Sequence, residues 1–173
     1  MGFIIAVLSA VAGVFIYMRV FASGAREAAD AVETLSNLPR RMRHRRAAGK
    51  RGFDLLASPL EAATAMMVAV ARVGPSRAVT PPAREVILDT LTGFMEQSPS
   101  DAQDLLTQIE ALLFTTAQPA DGVARCTTIL HPALGREDAE RLAGALSDIA
   151  AASGASSDQM RLVAAFRERM DLL

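Results

Sequence analysis

SPLEAATAMMVAVARVG, residues 58–74, holds a helix start, a helix body and a helix stop in one stretch. Ser58 stands at the N-cap, Pro59 at the first helical position and Glu61 three residues after the cap, which is a capping box with its proline. Leu60, Thr64, Met67, Val68 and Ala71 recur at helical spacing, and Met66 and Val70 widen the apolar face. Gly74-Pro75 ends the run, since glycine favours the C-terminal cap and proline cannot continue a helix. This one stretch predicts a well-delimited, strongly apolar helix over about 59–73.

The same grammar repeats downstream. Thr80-Pro81-Pro82 opens a second helix, with Val86, Ile87, Leu91, Phe94 and Met95 as its stripe and Ser98-Pro99 as its end. Ser100-Asp101-Ala102-Gln103 reads as a second capping box before Leu105, Leu106, Ile109, Leu112 and Leu113. A shorter helix follows Pro119, from about Val123 to Leu130, and His131-Pro132 closes it. Another runs from about Arg136 to Ala152 with Leu142, Ala145, Leu146 and Ile149. Ser156-Ser157-Asp158-Gln159 is a third capping box, before Leu162, Val163, Phe166 and Met170. Six helices and no strand are expected over 53–173. The expected core includes Met67, Val70, Ile87, Phe94, Leu106, Ile109, Leu146, Ile149 and Phe166. Sequential antiparallel packing is the simplest arrangement.

Composition agrees. Half of the 173 residues are apolar, supplied largely by Ala, Leu, Val and Met, with eight aromatic rings and no Trp. These are helix-forming rather than strand-forming choices. The near-neutral net charge hides a division. Residues 1–52 hold nine Lys/Arg against three Asp/Glu, a net +6; residues 53–173 hold nine against sixteen, a net −7.

Upstream of the helical head lies the basic stretch: Arg40, Arg41, Arg43, Arg45, Arg46, Lys50 and Arg51. Beside a membrane anchor such a cluster contacts anionic lipid head groups, at about 1 kcal/mol per charge. It also serves as a topology signal, and the bland reading is that it does only this. Nucleic acid fits worse, because no aromatic ring is interleaved and the following head is acidic. Between neck and anchor, Ser23 to Asn37 reads as a polar helical stalk that Leu38-Pro39 ends.

The anchor itself is Met1 to Met18, uncharged throughout, continued by Val20, Phe21 and Ala22 if Arg19 lies at the membrane face. Roughly 20 apolar residues in a helix cross a bilayer core. A cleavable signal peptide has a basic start and a shorter apolar core. Here the start lacks a basic residue and the positive charge follows, which predicts a retained single-pass anchor with its N-terminus outside and its bulk cytoplasmic. Ala6, Ser9, Ala10 and Gly13 form small-xxx-small pairs that let membrane helices pack closely. The expected organisation is therefore all-α: one transmembrane helix (1–22), a stalk and basic neck (23–52) and a compact bundle of about six helices (53–173).

A weak internal repeat adds a family resemblance. The run Met66 to Val73, then Gly74, precedes a helix capped at Thr80; the run Leu146 to Ser153, then Gly154, precedes a helix capped at Ser156. A helix, Gly turn and capped helix used twice resembles the tellurite-resistance TerB family and the related cytoplasmic domain of membrane-anchored DnaJ-like co-chaperones. The family's turns usually read Asp-Gly, with a Glu near the start of the next helix. Here they read Val73-Gly74 and Ser153-Gly154. Glu85 stands for the first family Glu, and Gln159 replaces the second. The resemblance thus implies the fold without the family's metal site. The co-chaperones also carry a His-Pro-Asp triplet; this chain has His131-Pro132-Ala133, read as a plain helix end.

No catalytic constellation, cofactor motif or metal spacing appears. Cys126, the only cysteine, excludes an internal disulfide and reads as a small core residue rather than a nucleophile. Met66-Met67 reads as core rather than a partner groove. Two functions are expected to compete: a non-catalytic, membrane-anchored adaptor of a stress-response assembly with other membrane or cytoplasmic proteins as partners, and an accessory or assembly subunit of a larger inner-membrane complex, such as a respiratory or photosynthetic one.

Overall fold

The computed structural model describes residues 52–114 and 121–173. The anchor, with Ala6, Ser9, Ala10 and Gly13, and the neck, with Arg40, Arg41, Arg43, Arg45, Arg46, Lys50 and Arg51, lie outside the described residues. Those residues form six α-helices and no strand: α1 (Pro59–Val73), α2 (Pro81–Asp89), α3 (Pro99–Leu113), α4 (Asp121–Leu130), α5 (Arg136–Ala152) and α6 (Ser157–Arg169). A 3-10 turn, Gly52–Leu55, precedes α1, and a π turn, Thr90–Phe94, follows α2. Among the described residues no helix is long and apolar enough to cross a membrane.

α1 is the centre. Its capping box forms as the sequence predicts: the Glu61 amide donates to Ser58 Oγ at 3.1 Å, and Glu61 Oε2 accepts from the Ser58 amide at 3.1 Å. The same oxygen also accepts from the Ala57 amide at 2.7 Å. Beyond the cap, eleven consecutive residues from Glu61 to Ala71 are buried. An amphipathic helix buries one stripe; a helix buried on every side is the middle of a core. Ala62, Ala63, Ala65 and Ala69 supply the faces that the apolar stripe leaves out, and their small side chains let neighbours close in. α3, α4, α5 and α6 all pack against α1, and α4 packs chiefly on it rather than on its neighbours in sequence. The sequential bundle is thus replaced by a central-helix arrangement, because α1 has apolar surface on all sides to cover.

The other helices follow their caps with one correction. Thr80 caps α2 and Ser156 caps α6, the latter through a second full capping box. α3, however, begins at Pro99 and is capped by Ser98, whose Oγ accepts from the Asp101 amide at 3.2 Å. Ser100 lies inside the helix. Proline has no amide hydrogen to lose at the first helical position and its fixed φ suits the helix, so Ser98-Pro99 starts α3 instead of ending the segment before it.

The second correction concerns Phe94. The Thr90 and Thr92 hydroxyls donate back to the Val86 and Leu88 carbonyls at 2.8 and 2.9 Å. The Met95 amide then bonds the Thr90 carbonyl, five residues back. This wider turn moves the stripe off its α-helical register. Ile87 and Leu91 remain fully buried, whereas Phe94 is half-buried with the Arg141 guanidinium 5.9 Å from its ring centroid. The remaining expected core residues are buried, Phe166 completely. Arg84 Nη2 reaches both Glu110 carboxylate oxygens at 2.6 and 2.7 Å and ties α2 to α3.

Candidate functional site

The two ends of α1 carry the features that distinguish this bundle. At the N-terminal end, Phe53, Leu55 and Leu56 are buried, with Phe53 only 7% exposed. The Phe53 ring lies on Gly122 near the start of α4. A Cβ on Gly122 would fall 2.1–2.4 Å from three ring carbons, so only glycine admits the ring there. Arg125, one turn on, points a guanidinium nitrogen at the Leu56 carbonyl at 3.5 Å, and its Nε is buried without a partner among the described residues. Next to it on α4 is Cys126, which is fully buried. Burial pushes its thiol from 9.0 up to about 12, against a smaller downward pull from Arg125. A thiol so placed holds its proton at neutral pH and lacks the thiolate that nucleophilic chemistry requires.

At the C-terminal end the two repeated units meet. The two Gly turns are 80 residues apart in sequence, yet a Cβ on Gly74 would lie 3.1 Å from the Ser153 carbonyl oxygen and 2.8 Å from Gln159 Nε2. Gln159 is fully buried. Its Oε1 accepts from the Ser156 amide at 2.9 Å, completing the cap of α6, while its Nε2 donates to the Val70 carbonyl at 3.0 Å. One side chain thus starts α6 and fastens it to α1. Ser153 Oγ donates to the Ile149 carbonyl at 2.7 Å. The polar atoms at the junction are taken up by one another. Glu85, the other position that the family resemblance marks, is exposed on α2. Among the described residues no group of His, Cys, Asp and Glu could hold a metal ion.

The same end displays side chains that sequence periodicity did not single out. Arg72 donates to the Leu113 carbonyl and, at 3.5 Å, to the Phe114 carbonyl, so the end of α3 is held beside the end of α1. Phe114 itself is 78% exposed, and Met160, next to Gln159, is 52% exposed. The loop Pro75 to Ala78 is exposed throughout. Its turn closes with the Arg77 amide on the Gly74 carbonyl at 3.0 Å, leaving Arg77 at φ 51°. In the second copy Ala155 sits at φ 48° after Gly154 at φ 105°. Side chains other than glycine, Asn or Asp rarely take this left-handed region; Glu96 and Asp171 take it too, outside the two Gly turns, at φ 52° and 55°. The available signal was faint: Phe114 follows the end of a leucine stripe, and Met160 lies off the Leu162–Val163–Phe166 face.

Two other sequence features resolve plainly. Met66 and Met67 are fully buried and form core, not a groove. His131 lies in the turn after α4, where its Nε2 is 3.2 Å from Asp171 Oδ2, both exposed. No family model matches the chain, and no curated protein or solved structure matches it.

Proposed function

We propose that this chain is a membrane-anchored, non-catalytic protein-interaction module of TerB-like type, held in the inner membrane by residues 1–22 with its N-terminus outside and its head in the cytoplasm. The neck, Arg40 to Arg51, contacts anionic lipid head groups. The observation that carries the reading is the end of the head where the two Gly turns meet. It combines two exposed large apolar side chains, Phe114 and Met160, with an exposed loop. Exposed apolar side chains gathered at one end of a domain support a binding surface, where scattered single ones would not. The pairing of two helix–Gly–helix units supports the TerB-like assignment, and the internally satisfied Gln159 supports a version of that fold that does without a metal.

The test is purification of the full chain in detergent with identification of co-purifying proteins. A Phe114→Ser, Met160→Ser double variant should keep its helical circular dichroism and lose those partners. If partners survive that change but disappear when Ala10 and Gly13 are replaced by Leu, the anchor is the contact and the chain is an assembly subunit of a membrane complex. A reporter fused after Leu173 should behave as cytoplasmic; periplasmic activity would overturn the topology.

A further inference from the structure

A hinge, a seated ring and an unpaired guanidinium nitrogen meet where the basic neck enters the head. Gly52 stands at φ 52°, a left-handed conformation that suits glycine, directly between Arg51 and Phe53. Beyond it the turn Gly52–Leu55 packs on α4 and α3, and Phe53, Leu55 and Leu56 are buried. The Phe53 ring takes the room that Gly122 leaves. Cys126 lies one turn further along the same face of α4, fully buried. The seated state leaves one polar group poorly served. Arg125 reaches the Leu56 carbonyl only at 3.5 Å, and its Nε is buried without a partner among the described residues. A buried donor left unpaired costs free energy, and lifting Leu56 away would return it to water.

We propose, resting on the neck–lipid contact above, that Gly52–Leu56 is a releasable strap, and that anionic lipid at the neck draws Phe53 from its seat on Gly122 into the membrane interface. Arg51 and Phe53 are two residues apart, at most about 7 Å along the chain. A cation held at the head groups therefore brings the ring within reach of the interface, where apolar side chains beside basic ones are buried about 5–10 Å deep. The charge next to the ring favours this. Seven Lys/Arg stand in Arg40–Arg51, against Asp54 on the strap and Asp121 before Gly122. Glu61, the next acid after the strap, is buried and accepts from the Ala57 and Ser58 amides. A ligand shifts an equilibrium only by its preference for one state. Here the lipid offers the released ring a second place of burial that the seated ring cannot use. Without anionic lipid the cations gain little at the surface, and the seated state prevails.

The test follows maleimide labelling of Cys126, the single thiol, in the full chain held in nanodiscs of phosphatidylcholine, alone or mixed with phosphatidylglycerol. Trypsin cleavage within Arg40–Arg51 reports the neck, and amide exchange across α5 reports opening of the whole head. In the mixed bilayer the neck should be protected, labelling should rise about tenfold and α5 should exchange as before. A tenfold rise is a shift of about 1.4 kcal/mol in the opening equilibrium, about the yield of one or two cations at a charged surface. Lys50→Gln with Arg51→Gln should remove the rise. Phe53→Ala, which empties the seat, should label fast in both bilayers. Equal labelling in the two bilayers with a protected neck overturns the strap and leaves the lipid contact standing. Slow labelling of Phe53→Ala, or a rise matched by faster exchange of α5, does the same. A neck cleaved alike in both bilayers overturns the lipid contact and the strap with it.

Discussion

The two ends of α1 are closed by opposite means. At one end an aromatic ring lies on a glycine and the seal is apolar; at the other a glutamine amide lies against a glycine and the seal is polar. Phe53 is held by shape, since Gly122 leaves room for a ring and for nothing else. Gln159 is held by direction, since its two ends must meet the Ser156 amide and the Val70 carbonyl. A shape seal can be made tight without constraining what lies above it. A hydrogen-bonded seal fixes the backbone around it, and this is the end that displays the exposed Phe114 and Met160. Rigid backbone under an exposed surface is the arrangement that recognition sites need.

The largest expected effect breaks the apolar seal. Phe53→Ala should lower the unfolding free energy by about 3–5 kcal/mol, read as denaturant midpoints of the full chain in detergent. Gly122→Ala should cost about 1–3 kcal/mol, because its new methyl expels the ring. In the Phe53→Ala background the same change should turn neutral or stabilising, since alanine suits a helix better than glycine by about 0.5–1 kcal/mol. Equal costs of Gly122→Ala in both backgrounds would show that the ring and the glycine are not one device.

The polar seal should give a middle effect with a pH signature. Gln159→Glu keeps the shape but turns a donor into an acceptor facing the Val70 carbonyl. A buried group left unpaired costs about 1–3 kcal/mol, more when charged. The introduced carboxyl should therefore bind its proton more tightly in the folded state than its unfolded pKa of about 4.3. Its neutral form can donate to Val70, so the variant should approach the parent below about pH 4 and lose stability as pH rises through the raised folded pKa. A deficit relative to the parent that is flat with pH would mean that Nε2 donates nothing of consequence.

The smallest effect lies at neither end. Ser98→Ala should cost about 1 kcal/mol as the loss of a cap, whereas Ser100→Ala should stay within about 0.5 kcal/mol. The reverse order would return the start of α3 to the place that the sequence first suggests.

That pair also shows what could be read in advance. Ser58, Thr80 and Ser156 announce their helices because cap, proline or acid, and apolar spacing agree at each. Ser98-Pro99-Ser100-Asp101 offers two overlapping caps, and local rules do not choose between them. The π turn after α2 comes with two threonine hydroxyls that return to carbonyls, a feature outside apolar periodicity, so a stripe at α-helical spacing runs too far when it includes Phe94. The contacts of Phe53 with Gly122 and of Gln159 with Val70 span 69 and 89 residues of sequence. No periodicity encodes which distant glycine leaves room for a ring. The repeat around Gly74 and Gly154 was visible as a pattern; that the two turns touch, and that Phe114 and Met160 flank them, depends on packing around the centre.

The burial of α1 on every side sets an order of events at the ribosome. The helix is made before all its covers, and the last of them, α6, comes much later: Gln159 and Phe166 emerge about 90–100 residues after it, which takes about 5–20 s at ordinary rates of synthesis. Throughout that interval the most apolar helix of the head is covered only in part, by α3, then α4, then α5. A chain stalled before α6 leaves α1 bare on the side that Gln159 and Phe166 cover, and there it is open to proteases and chaperones.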